Sequence, residues 1–128
     1  MSERPKVRIL VVDDDADVRE SLKLALKLEG YSVATARNGL EALARSPVDI
    51  LITDIFMPEA DGFETIEAFR KIHPTTRVIV LSGGAPLIKT DYLAVARMIG
   101  VDVTLQKPID PLELSRTILE LMKDADRH

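Results

Sequence analysis

Five short runs rich in Val, Ile and Leu alternate along this chain with stretches of helical periodicity, and that pattern leaves few folds open. The strand-like runs are Val7–Val12, Tyr31–Ala36, Val48–Thr53, Arg77–Leu81 and Asp102–Leu105. The first, third and fourth are nearly continuous in branched apolar residues, as in strands covered on both faces. Tyr31–Ala36 alternates large with small or polar side chains and fits a sheet edge. The helical stretches are Ala16–Glu29, Leu40–Arg45, Phe63–Ile72, Asp91–Ile99 and Pro111–Lys123. Val18, Leu22, Ala25 and Leu26 share one face of the first, and Gly30 is placed to end it in a left-handed cap. Leu114, Ile118, Leu121 and Met122 line the last, which Asp110 and Pro111 start as N-cap and first-turn residue. Gly100 can close Asp91–Ile99 as Gly30 closes the first helix. Strict βα alternation requires a five-stranded parallel sheet with helices on both faces, the doubly wound α/β class.

With 128 residues, 46% of them hydrophobic, the chain has material for one domain with a sizeable core. We expect that domain to span residues 7–123, with short polar tails at 1–6 and 124–128. No apolar run is long enough to span a membrane, and the polar start MSERPKVR does not read as a secretory signal. The absence of cysteine removes disulfide and thiolate-metal chemistry, so a cytoplasmic protein is expected. A net charge of −4 with scattered basic residues, and only three Phe, two Tyr and no Trp, argues against direct nucleic-acid binding.

Doubly wound sheets bind ligands beyond the carboxyl ends of their strands, near the point where strand order reverses. There the sequence supplies Asp13-Asp14-Asp15, Asp54, Ser82-Gly83-Gly84 and Lys107-Pro108. Singly each has a structural reading. Acidic residues at strand ends cap helices, Asp15 above all, and Ser-Gly-Gly and Lys-Pro are ordinary turn sequences. Together they gather carboxylates, a hydroxyl and an ammonium at one rim. Two carboxylates about 4 Å apart repel by about 1 kcal/mol in water and about 4 kcal/mol at an effective dielectric of 20. A dication relieves this, and an all-oxygen set suits Mg²⁺, which keeps room for phosphate oxygens. Lys107 and Ser82 would add a positive charge and a donor for a phosphoryl group.

The segments LVVDDD, ITDIFMPEADG, VLSGG and LQKPID resemble, in order and position, the receiver domains of two-component response regulators. The similarity runs from about Val7 to about Met122. It implies the flavodoxin-like strand order 2-1-3-4-5. It further implies that Asp54 accepts a phosphoryl group from a sensor histidine kinase or histidine phosphotransfer protein, with Mg²⁺ as cofactor. In the resemblance, Asp14 ligates the metal directly, Asp13 through water, and the Phe56 backbone carbonyl completes the protein's share. Ser82 matches the hydroxyl that bonds the phosphoryl group and moves when it arrives, and Lys107 the lysine that pairs with it. A cis Lys107-Pro108 bond is implied as well. Met57-Pro58 and Asp61-Gly62 match the turn that presents Asp54. On this reading the domain is not an enzyme beyond assisting its own phosphorylation. It would signal to a downstream protein through the face formed by Asp91–Ile99, the fifth strand and the last helix.

The sequence departs from the family at Thr104, where an aromatic residue usually stands three positions before the lysine. Rearrangement of the glycine-containing segment 83–90, longer than in compact receivers, would then replace a ring flip. In Asp91–Ile99, Tyr92, Val95 and Ile99 form one apolar line and Leu93 and Ala96 another, which suits either a docking face or a deeply wedged helix. His73 and His128 read as structural and terminal. Two alternatives stay open: a pseudo-receiver that binds partners without accepting phosphate, and a phosphatase similar to haloacid dehalogenases that uses Asp13.

Overall fold

The computed structural model describes residues 7–44, 47–54, 62–82 and 100–126. Its elements are β1 (Arg8–Val12), α1 (Ala16–Leu28), β2 (Ser32–Ala36), α2 (Gly39–Leu43), β3 (Ile50–Asp54), α3 (Gly62–Ile72), β4 (Arg77–Ser82), β5 (Val103–Gln106) and a C-terminal helix, α4 (Pro111–Asp126). The expected helix at 91–99 and loop at 83–90 lie outside the described residues. All five strands are parallel, in the order β2-β1-β3-β4-β5 that the resemblance implied, and β2 is an edge as its alternation suggested.

Register turns the apolar runs into two cores. Leu10 lies beside Leu51 and Leu51 beside Val78, while Ile9 lies beside Ile50 in the row below. Because successive side chains point to opposite faces, the first row joins Val12 and Val80 under Ile66 and Phe69 of α3. The second joins Val11, Ile52, Ile79 and Leu81 under Leu22 and Leu26 of α1 and Leu114, Ile118 and Leu121 of α4. Each buried Leu or Ile contributes about 1.5–3 kcal/mol of transfer free energy, so this double layer holds the central strand ends rigidly.

Element boundaries moved where side chains intervened. Asp54 and Ser82 are the last residues of β3 and β4 and not loop positions, because the ladder continues through Asp54 beside Leu81 and Ser82 beside Gln106. Asp102 precedes β5 because its carboxylate accepts the Val78 amide at 2.7 Å and pairs with Arg70 at 3.1 Å. Helix α2 begins at Gly39, one residue early, behind an Asn38 cap whose Oδ1 accepts the Glu41 amide at 3.0 Å. The C-terminal helix runs on to Asp126 instead of ending at Lys123, since no Gly or Pro interrupts Lys123–Asp126.

The helix caps match the sequence reading. Asp15 Oδ1 accepts the Asp17 amide at 2.9 Å, and Asp110 Oδ1 accepts that of Leu112 at 2.9 Å. Gly30 has φ of 98°, its amide meets the Lys27 carbonyl at 3.0 Å and that of Tyr31 meets Leu26 at 3.2 Å. These are the two bonds of a glycine-ended helix terminus. Gly100 also has a positive φ, 82°, but the helix it was expected to close lies outside the described residues. His73, at the end of α3, packs edge-on against Phe69, with ring centroids 4.9 Å apart.

Candidate functional site

Strand β2 is on one side of β1 and β3 on the other, so strand order reverses at the carboxyl ends of β1 and β3. Asp13 directly follows β1 and Asp54 ends β3. The cis Lys107-Pro108 bond, expected from the resemblance, follows β5. Lys107 Nζ donates to Asp54 Oδ2 at 2.9 Å and to Asp13 Oδ2 at 3.0 Å. Asp13 is fully buried and Asp54 nearly so, while Asp14 is exposed. One carboxylate oxygen from each of the three aspartates lies within 4.8 Å of the others.

Two of the three carboxylates, Asp13 and Asp54, therefore share the Lys107 ammonium, and among the described residues the three aspartates outnumber the cation bonded to them. Breaking a buried ion pair commonly costs about 3–5 kcal/mol because the remaining charge loses its partner, which is why Lys107 matters to both Asp13 and Asp54. Burial alone would pull the Lys107 ammonium downward, but the hydrogen bonds and charges of Asp54 and Asp13 outweigh it and hold it above the ordinary lysine value. The Asp14 carboxyl is pushed up, first by partial screening from water, then by the charge of Asp13 and a hydrogen bond to it, and by Asp54.

The donor set fits a hard dication. Mg²⁺ needs oxygens about 2.1 Å from its centre, hence no more than about 4.2 Å apart, so small side-chain adjustments suffice from the 4.8 Å cluster. Of the sequence-predicted residues, Asp13, Asp14, Asp54 and Lys107 meet here. Ser82 is placed one strand away by its pairing with Gln106, but its side chain, like Phe56, Met57, Pro58 and Asp61, lies outside the described residues. Thr104 is exposed on β5. Sequence reasoning missed Arg19, whose Nη1 donates to the Asp13 carbonyl at 2.7 Å. The available signal was its position on the first turns of α1, six residues beyond Asp13.

Comparison with known proteins points the same way. Residues 9–119 match the family model of the response regulator receiver domain. An uncharacterized 14.6 kDa protein in the sodA1 3′ region of Leptolyngbya boryana is 40% identical over 113 residues, covering 86% of each chain. The transcriptional regulatory protein CpxR of Escherichia coli K12 is 32% identical over 118 residues, 91% of this chain but only 49% of CpxR. The chain thus spans about half the length of several curated relatives. Among solved structures, a CheY-like receiver domain protein from Methanospirillum hungatei superposes with a TM-score of 0.86 at 29% identity, covering 97% of this chain and all of that one. A receiver domain protein from Clostridium thermocellum gives 0.83 at 30% identity, with 94% and 97% covered.

Proposed function

The chain belongs to the response regulator receiver domain family, and on that premise we propose that it accepts a phosphoryl group on Asp54 from a histidine kinase or histidine phosphotransfer protein, with Mg²⁺ bound beside it. The observation that carries this reading is the double hydrogen bond of Lys107 to Asp54 and Asp13 at the point of strand reversal, with Asp14 alongside.

An Asp54 carboxylate oxygen attacks the phosphorus of the donor phosphoimidazole. The new O–P bond forms as the P–N bond breaks, and its electron pair passes to the donor nitrogen. Asp13, Asp14 and Asp54 would hold the Mg²⁺, which supplies positive charge against the phosphoryl oxygens. Lys107 holds the Asp54 carboxylate in place beforehand, and its ammonium is within reach of an oxygen added there. Asp13 is a poor nucleophile by comparison: it has no exposed surface, and its two oxygens are occupied by the Asp15 amide and Lys107. Asp15 is spent as a helix cap, which argues against the phosphatase-like alternative.

The test is incubation with acetyl phosphate or beryllofluoride and Mg²⁺, followed by intact-mass and NMR measurement. Wild type should gain one phosphoryl group and Asp54→Asn none. Equal incorporation by both would move the acceptor elsewhere, and none in either would favour a partner-binding module that does not use phosphate.

A further inference from the structure

Every polar atom of Asp13 is engaged from a different direction. Its amide donates to the Ala36 carbonyl at 3.2 Å, Oδ1 accepts the Asp15 amide at 2.9 Å, and Oδ2 accepts Lys107 at 3.0 Å. The fourth partner is unlike the rest. The half-buried Arg19 reaches back from α1, and its Nη1 donates to the Asp13 carbonyl at 2.7 Å. The Arg19 backbone is itself fixed, since its amide donates to the Asp15 carbonyl at 3.0 Å in the first turn of the helix.

That carbonyl belongs to the peptide unit joining Asp13 to Asp14. A peptide unit is planar and rigid, so holding its oxygen fixes the ψ angle of Asp13 and with it the direction in which the chain enters Asp14. We propose that Arg19 is a positioning residue for the cation site: it sets the aim of the Asp14 carboxylate without touching the ion. The proposal rests on reading the Asp13, Asp14 and Asp54 cluster as a Mg²⁺ site. Groups that orient metal ligands commonly affect affinity about 10- to 100-fold when removed.

Charge and geometry make opposite predictions here. A guanidinium close to a dication repels it, so by charge alone removing Arg19 would tighten Mg²⁺ binding. If the residue acts by holding the Asp13 carbonyl, removing it weakens binding despite the lost repulsion.

The experiment is a Mg²⁺ titration of the unphosphorylated chain, followed by amide NMR, on wild type, Arg19→Met and Asp54→Asn. Methionine keeps an apolar stem and removes both charge and donor. Arg19→Met should bind Mg²⁺ about tenfold more weakly than wild type. Its amide shifts without metal should concentrate at Asp14 and Asp15. Binding as tight as wild type, or tighter, overturns the proposal. If Arg19→Met does not fold, Arg19→Gln, also uncharged and too short to reach as far, is judged by the same two outcomes. Weakening in Asp54→Asn but not in the Arg19 variants would discard only the positioning role. Wild-type affinity in every variant, or no binding by wild type, would discard the metal reading and this inference with it.

Discussion

Lys107 and Asp54 are 53 residues apart in sequence and 2.9 Å apart in space, ammonium to carboxylate, with the lysine side chain about one-quarter exposed and the aspartate almost buried. The contact is both a stabilising ion pair and the place where an added phosphoryl group would compete for the same ammonium. Lys107→Met should therefore lower the stability of the metal-free protein by about 2 kcal/mol, below the full cost of breaking a buried pair because the lysine is partly exposed. Urea unfolding with and without Mg²⁺ would measure this. Mg²⁺ should restore part of the loss by supplying the missing positive charge.

The same pair fixes a pH dependence. Asp54 and Asp13 hold the Lys107 ammonium above its ordinary value of 10.5 in the folded protein. A group raised on folding stabilises fully below its unfolded value and loses that contribution as pH climbs through the folded value. The stability gap between wild type and Lys107→Met should then stay level from about pH 7 to about pH 10 and narrow only above that. A gap that closes already near pH 8 would show that the ammonium is not held this way.

Much of this was legible in the sequence because it depends on period and punctuation. Continuous runs such as Leu10–Val12 and Leu51–Thr53 bury both faces, so they announced central strands. Asp15, Gly30 and Asp110 sit where a cap or a left-handed turn is needed. The gathering of Asp13, Asp54 and Lys107 was also foreseeable, since parallel topology brings successive strand ends to one rim. Arg19 and Asp102 were not, because their roles depend on where a long or charged side chain reaches. Nothing in the local pattern says that Asp102 will accept an amide from a strand 24 residues away.

Asp102 supplies its own test. Besides the Val78 amide it pairs with Arg70 at 3.1 Å and Arg77 at 3.7 Å, and Arg70 also donates to the Gly100 carbonyl. Among the described residues both arginine Nε atoms are buried without a partner, and Asp102 is the carboxylate that pairs with both guanidinium groups. Asp102→Ala should cost about 2–4 kcal/mol in urea unfolding, from one orphaned amide and two guanidinium groups that lose their carboxylate partner. A loss under about 0.5 kcal/mol would mean that water replaces the carboxylate.

At Gly30 the requirement is purely conformational. A Cβ added there meets no atom within 4 Å, yet φ of 98° is a conformation that side chains disfavour. Gly30→Ala should destabilise by about 1 kcal/mol, and Gly30→Asn by less, since Asn tolerates left-handed conformations better. Thermal unfolding of the pair would show the ordering.

Asp14 should behave in the opposite sense to an ordinary stabilising carboxylate. Its carboxyl is raised above the usual 3.8 by partial screening from water and by its acidic neighbours. In the window between 3.8 and the raised value, the folded chain binds more protons than the unfolded one, so stability falls as pH rises through it. At pH 7 the ionised side chain is then a net cost to the metal-free protein, modest because Asp14 is exposed. Asp14→Asn should raise the metal-free melting temperature at neutral pH, and the gain should shrink toward zero as pH drops below 3.8. Excess Mg²⁺ should invert the order, because a ligand that binds only the folded state stabilises in proportion to its affinity and the variant has lost one of the oxygens proposed to hold the ion. Melting curves at neutral and acid pH, with and without Mg²⁺, contain all three comparisons. If Asp14→Asn melts lower than wild type without metal at pH 7, repulsion within the aspartate cluster is not what governs Asp14.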